Sequence, residues 1–148
     1  MTPSVPIRLL SISLGLLFAV SLPLHAQNLL PSEEGDRSRY EVTIQMDKGY
    51  FSGVCAMLNE GRVIQGSIFN EFGITAIDFS YDTVKKKVRL HTVFKMMNKW
   101  YIRRVLRKDL ACLIDGLKIG ETQYVNKRHH ITYRLVPVNS GEPEDSEE

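Results

Sequence analysis

The apolar residues of this chain switch from period two to a helical period once, and then switch back. That switch limits the fold to a sheet carrying one helix. Between residues 39 and 47, Tyr40, Val42, Ile44 and Met46 alternate with Glu41, Thr43, Gln45 and Asp47, as in a strand with one dry face. Further strand-like runs at 50–58, 62–69, 72–81 and 87–94 are separated by short stretches that include Asp47-Lys48-Gly49, Asn59-Glu60-Gly61 and Lys85-Lys86-Lys87. Such close spacing predicts an antiparallel meander. From about 98 to 116 the period lengthens, and Ile102, Val105, Leu106, Leu110, Leu113, Ile114 and Leu117 fall on one helical stripe. Asn98 is placed to cap the start of this helix and Gly116 to stop it. Two more strands, 121–125 and 129–136, flank a turn at Asn126-Lys127. The predicted fold is mostly β (α+β): a curved antiparallel sheet or half-open β-barrel of about seven strands with one amphipathic helix packed on it.

The middle of the sheet carries more apolar surface than one helix covers. In the second strand Phe51, Cys55 and Met57 point one way and Val54, Ala56 and Leu58 the other; in the fourth, Ile74 and Ala76 oppose Ile77, Phe79 and Tyr81. A sheet with one wet face alternates more cleanly. The surplus face is closed by strong coiling into an ordinary core, by a partner subunit, or by a bound apolar ligand.

The ends differ in character from the middle. Arg8 precedes an apolar run of about a dozen residues, 9–20, too short for the roughly 20 residues that span a bilayer; Pro23 and Leu24-His25-Ala26 follow. This reads as a signal peptide, 1–26, cleaved before Gln27, without the following cysteine that lipoprotein acylation needs. The expected product is exported, periplasmic or secreted, and soluble. Acidic residues crowd 27–38 and 138–148, which read as a flexible N-terminal segment and a disordered tail around a β-rich domain at 39–137. Between residues 38 and 137, 17 Lys and Arg face nine Asp and Glu, an excess of eight positive charges. In an exported protein that excess favours an anionic membrane surface or acidic proteins, and nucleic acid is a poor candidate.

Chemistry-bearing clusters are sparse. Ser52, Ser67 and Ser80 lack a nucleophile-elbow signature, and the spacing of His91, His129 and His130 suits no metal ion, so no enzyme activity, metal or cofactor is expected. Asp78, mid-strand, and Asp109, on the helical stripe, read as partly buried carboxylates paired with arginines. Cys55 and Cys112 admit either a disulfide, which would close a long loop at a gain of about 4 kcal/mol, or two packed thiols. Met96, Met97, Trp100 and Tyr101 gather where the helix begins, beside Lys99, Arg103 and Arg104. That mixture suits a lipid interface or a helix end docked into a core.

The meandering strands, the segment Gly66-Ser67-Ile68-Phe69-Asn70-Glu71-Phe72-Gly73 and the helix after the sheet resemble a known family. It comprises the periplasmic lipoprotein carriers and outer-membrane lipoprotein receptors of the localisation-of-lipoproteins type, with small exported Bacteroidetes proteins that look related. The likeness spans about 40–117, in a shorter chain with one obvious helix. It implies a half-open barrel whose apolar cavity holds acyl chains, lined by Phe51, Met57, Phe79 and Phe94, with Met97 and Trp100 at the helix start. Lys99, Arg103, Arg104 and Arg107 are the expected contacts to anionic headgroups. The expected function is a non-enzymatic carrier of lipids or lipoproteins. The alternative is a protein-interaction module, a homodimer or envelope-complex subunit, using the same apolar face; the sequence leaves the oligomeric state open.

Overall fold

A computed structural model describes residues 27–139; the expected signal peptide and residues 140–148 of the expected acidic tail lie outside the described residues. The strands are β1 (Arg37–Met46), β2 (Gly49–Asn59), β3 (Val63–Asn70), β4 (Thr75–Asp82), β5 (Lys87–Val93), β6 (Gln123–Asn126) and β7 (Ile131–Pro137). A 3-10 turn at Lys95–Met97 and helix α1 (Trp100–Lys118) lie between β5 and β6. The strands form one antiparallel sheet in the order β5-β4-β3-β2-β1-β7-β6, curled into a half-barrel. The helix packs against both edge strands, β5 and β6, and so fills the gap that the sheet leaves open. The fold class read from the sequence is the one observed.

Curling has local causes. Register shifts at Ile68/Phe69 and Asp78/Phe79 interrupt the β3–β4 and β4–β5 ladders, and such irregularities sharpen twist and bend a sheet. Gly66 sits directly opposite Phe79, whose ring occupies the space a Cβ at position 66 would need. The concave face carries Tyr40, Val42, Cys55, Met57, Ile68, Ile77, Phe79, Tyr81, Tyr133 and Leu135, all buried, and α1 presses Leu106, Leu110, Leu113, Ile114 and Leu117 onto them. On the convex face the surplus apolar residues Val54, Ala56, Leu58 and Phe69 remain half-buried and uncovered.

Three buried tyrosines tie the sheet to what packs around it. Tyr40 donates its hydroxyl hydrogen to Leu29 O at 2.6 Å, Tyr81 to Asp115 Oδ1 at 2.5 Å, and Tyr133 to Asp109 Oδ2 at 2.6 Å. Each ring is apolar enough for the core, and each hydroxyl finds the partner that burial demands.

Two boundaries differ from the sequence expectation. Asn98 ends the 3-10 turn, and Lys99 is the N-cap of α1, in extended backbone and without a side-chain cap bond. Gly116 lies inside the helix. The stop is Gly120, at φ +82°, where the Gly120 and Glu121 N–H groups donate to Leu117 O and Gly116 O, the paired bonds of a Schellman ending. Residues 27–38, expected to be flexible, instead run along the barrel's lower end. Leu30 and Pro31 are buried, Leu29 N–H donates to Leu117 O at 2.9 Å, and the Asn59 side chain donates to Pro31 O at 2.8 Å. A short apolar triplet, too brief to show a period, anchors a segment whose composition reads as solvated. At the other terminus Val138 N–H donates to Arg39 O at 2.9 Å, so the ordered chain passes 137. Among the described residues no helix is long and apolar enough to cross a membrane.

Candidate functional site: an apolar groove at one end of the half-barrel

The fit of helix to sheet changes along α1. From Leu106 to Leu117 the inward residues are buried, whereas Ile102 and Val105 are half-buried and Tyr101 is exposed. Between this upper half of the helix and the sheet lies a groove of about 570 Å³, within the usual range for small-molecule sites. Ile44, Phe51, Ile68, Ile77 and Tyr133 form its floor, and Met97, Ile102, Val105 and Leu106 its helical wall. Met46, Asp47, Lys48 and His129 stand at the edge, from the β1–β2 and β6–β7 turns. The Tyr133 hydroxyl is turned away toward Asp109, so the floor presents a ring rather than a polar atom. A lining of this kind offers apolar surface without directed hydrogen bonds, and suits a hydrocarbon chain.

Of the six residues expected to line a cavity, Phe51 and Met97 do so. Met57 and Phe79 belong instead to the closed core, because they lie farther along the barrel where α1 fits tightly and Phe79 covers Gly66. Phe94 is exposed at the end of β5, and Trp100 is exposed on the outer flank of the helix. Ile44, Ile68, Ile77, Ile102 and Val105 replace them in the lining. Periodicity marked several of these as core-facing, but how the helix sits on the sheet decides which of them stay open.

The basic residues separate in a similar way. Lys99 and Arg104 are exposed on the first turns of α1. Arg103 donates to Leu90 O at 3.1 Å and to Asn98 Oδ1 at 2.9 Å, so it fastens the helix to β5 and is not free for a headgroup. Arg107 lines the seam between α1 and β5 with Lys85, Lys87 and Arg89. On the other side, Arg104, Lys108 and Arg128 line the seam toward β6. That second seam shares Tyr101, Val105 and His129 with the apolar groove, so cationic and apolar linings run together there.

The two carboxylates expected to pair with arginine do not. Asp109 accepts from Tyr133 Oη and from Asn126 Nδ2 at 2.9 and 3.0 Å, and Asp78 accepts from Ser67 Oγ at 2.7 Å. Burial first, and then the nearby Asp109 carboxylate, raise the pKa of Tyr133 well above the usual tyrosine value. Tyr81 is raised in the same order of causes, by burial and then by Asp115. Cys55 and Cys112 are both free, and the disulfide considered above is not formed. Cys55 lies in the core, its thiol pushed up to about 12 by burial, while the helix turns Cys112 outward, away from the stripe led by Leu110 and Leu113. His129 and His130 lie in the β6–β7 turn, where His130 Nδ1 is 3.4 Å from Asp47 Oδ2. Among the described residues no group of three or more His, Cys, Asp or Glu is placed to hold a metal ion.

No family model matches this chain, and no curated protein or solved structure matches it.

Proposed function

We propose that the protein is a non-enzymatic, exported carrier that holds an acyl chain of a lipid or lipoprotein in the groove between the concave face of β1–β4 and β7 and the upper half of α1. The apolar groove of about 570 Å³ is the observation that carries this reading. The run at 9–20 supplies the export signal, and the periplasm the compartment in which acyl chains need a soluble escort. Arg104, Lys108 and Arg128, in the adjoining seam, supply charge for an anionic headgroup. The likeness to the lipoprotein carriers adds a precedent of fold, and fold alone does not fix function.

Native mass spectrometry of protein purified after export, followed by organic extraction, tests the reading. A co-purifying acyl lipid supports it, and protein that is empty and takes up no fatty acid contradicts it. A second reading, a protein-interaction module, draws on the uncovered convex strip of Val54, Ala56, Leu58 and Phe69. Light scattering separates the two: the carrier is a monomer with an accessible groove, the module a stable oligomer that covers the strip.

A further inference from the structure

The exposed apolar side chains are concentrated at one end of the half-barrel. The antiparallel order places the β1–β2, β3–β4 and β6–β7 turns and the β5–α1 connection together at that end. There Phe72 is 79% exposed, Met96 77%, Trp100 75% and Tyr50 65%, with Ile74 and Phe94 beside them. They come from three separate connections at the groove end, while Val84 and Ile119 stand exposed at the other.

Charge at this end is mostly positive. Lys48, Lys95, Lys99, Lys127 and Arg128 stand exposed on these connections, and among the described residues none is in an ion pair. The acids at this end are Glu71 and Asp47, and Asp47 Oδ2 lies 3.4 Å from His130 Nδ1. The opposite end mixes both signs: Glu33, Glu34, Asp36, Glu60 and Glu121 lie there with Arg62 and the Lys85-Lys86-Lys87 run. The uncapped first turn of α1, with no acidic residue in it, adds its N–H groups and dipole to the positive end.

From these observations we infer that this rim docks end-on at the surface of an anionic lipid bilayer. Phe72, Met96 and Trp100 enter the interface while the lysines contact phosphates. A protein partner that buried so many apolar groups would meet them as one continuous patch, with charge depleted at its centre. Here cations are interleaved with aromatic and thioether side chains, the arrangement that holds proteins at the headgroup level. Lys and Arg near such a surface are drawn to the anionic headgroups. The inference stands on the rim and does not require the groove to be filled.

Trp100 is the chain's single tryptophan and reports its own environment. Protein recovered after export, its amino terminus defined by intact mass, is titrated with vesicles of phosphatidylglycerol and phosphatidylcholine, and with phosphatidylcholine alone. The expected result is a blue shift of Trp100 emission and quenching by brominated acyl chains on anionic vesicles. Affinity falls at least tenfold on neutral ones and declines as salt is raised. The double variant Phe72→Ser/Met96→Ser, at positions too exposed to disturb folding, loses at least tenfold in affinity for anionic vesicles by co-sedimentation. Val105→Thr, a neutral change within the groove, retains vesicle affinity. Unshifted, unquenched Trp100 emission on anionic vesicles overturns the inference. So does a dimer formed through the rim that dissociates in the Phe72→Ser/Met96→Ser variant while vesicles remain unbound.

Discussion

Tyr133, on the last strand, and Asp109, in the middle of the helix, meet at 2.6 Å and lock α1 to the β6–β7 hairpin where the closed core gives way to the groove. Asp109 is buried and draws its hydrogen bonds from neutral donors, Tyr133 and Asn126. Truncating one partner strands the other. Asp109→Ala is expected to cost about 2–4 kcal/mol, and Tyr133→Phe about 1.5–3 kcal/mol. The double variant Asp109→Ala/Tyr133→Phe should cost clearly less than the sum of the two, because neither partner is left stranded by loss of the other. Urea unfolding of the four proteins measures the coupling, and strict additivity would show that the pair does not act as a unit.

Alkaline pH should destabilise the protein through its buried tyrosines. Burial pushes Tyr40 up to about 12, from a usual value of 10, and Tyr81 and Tyr133 are also raised. A raised tyrosine pKa means that the unfolded chain loses its proton first. Its stabilising contribution is complete below pH 10 and drains away as pH climbs toward the folded value. For Tyr40 the loss is about 3 kcal/mol across that window. Denaturant midpoints measured from pH 8 to pH 12 should fall above 10, and less steeply in Tyr40→Phe; a flat profile refutes the assignment.

Thiol chemistry separates the cysteines. Cys112 is exposed and Cys55 buried, so the folded protein should react with Ellman's reagent at one thiol and the denatured protein at two, without reductant. Loss of the reaction in Cys112→Ser identifies the site. No reactive thiol after denaturation would mean that the two are bridged.

Gly66 is irreplaceable for steric reasons. A Cβ there strikes the Phe79 ring, so Gly66→Ala should cost about 1–3 kcal/mol by overpacking. Phe79→Leu in the Gly66→Ala background should recover part of the loss. Thermal unfolding reads both, and a neutral Gly66→Ala would show that the ring has room to move.

The start of α1 gives up stability for charge. Lys99 occupies an N-cap position in extended backbone, where Asp is among the preferred residues. Lys99→Asp should therefore raise stability by about 1 kcal/mol while weakening attachment to anionic vesicles. A variant that gains stability and keeps its vesicle affinity would separate the cap from the docking surface.

The sequence announces some of this arrangement and conceals the rest, for identifiable reasons. Alternation in 39–47 and the three-and-four spacing from Ile102 to Leu117 are local signals, and they yield the strands, the helix and the buried stripe. Partners such as Tyr133 for Asp109 or Leu29 for Tyr40 are separated by 24 and 11 residues, and no local pattern selects them over the many arginines. Gly116 has the residue type of a helix stop, but the helix runs through it and ends at Gly120, which adopts the left-handed conformation. The groove was half legible. Its residues carry core-facing periodicity, but whether Phe79 or Ile77 faces open space depends on how α1 lies across the sheet.

The most direct test of the groove is methyl NMR of the exported protein with a spin-labelled fatty acid. The account predicts selective broadening of Ile68, Ile77 and Ile102 methyl signals, while Leu117 and Leu135, in the closed core, stay sharp, and unlabelled fatty acid reverses the effect. Absence of broadening, or broadening spread evenly over the surface methyls, would contradict a site for an acyl chain between α1 and the sheet.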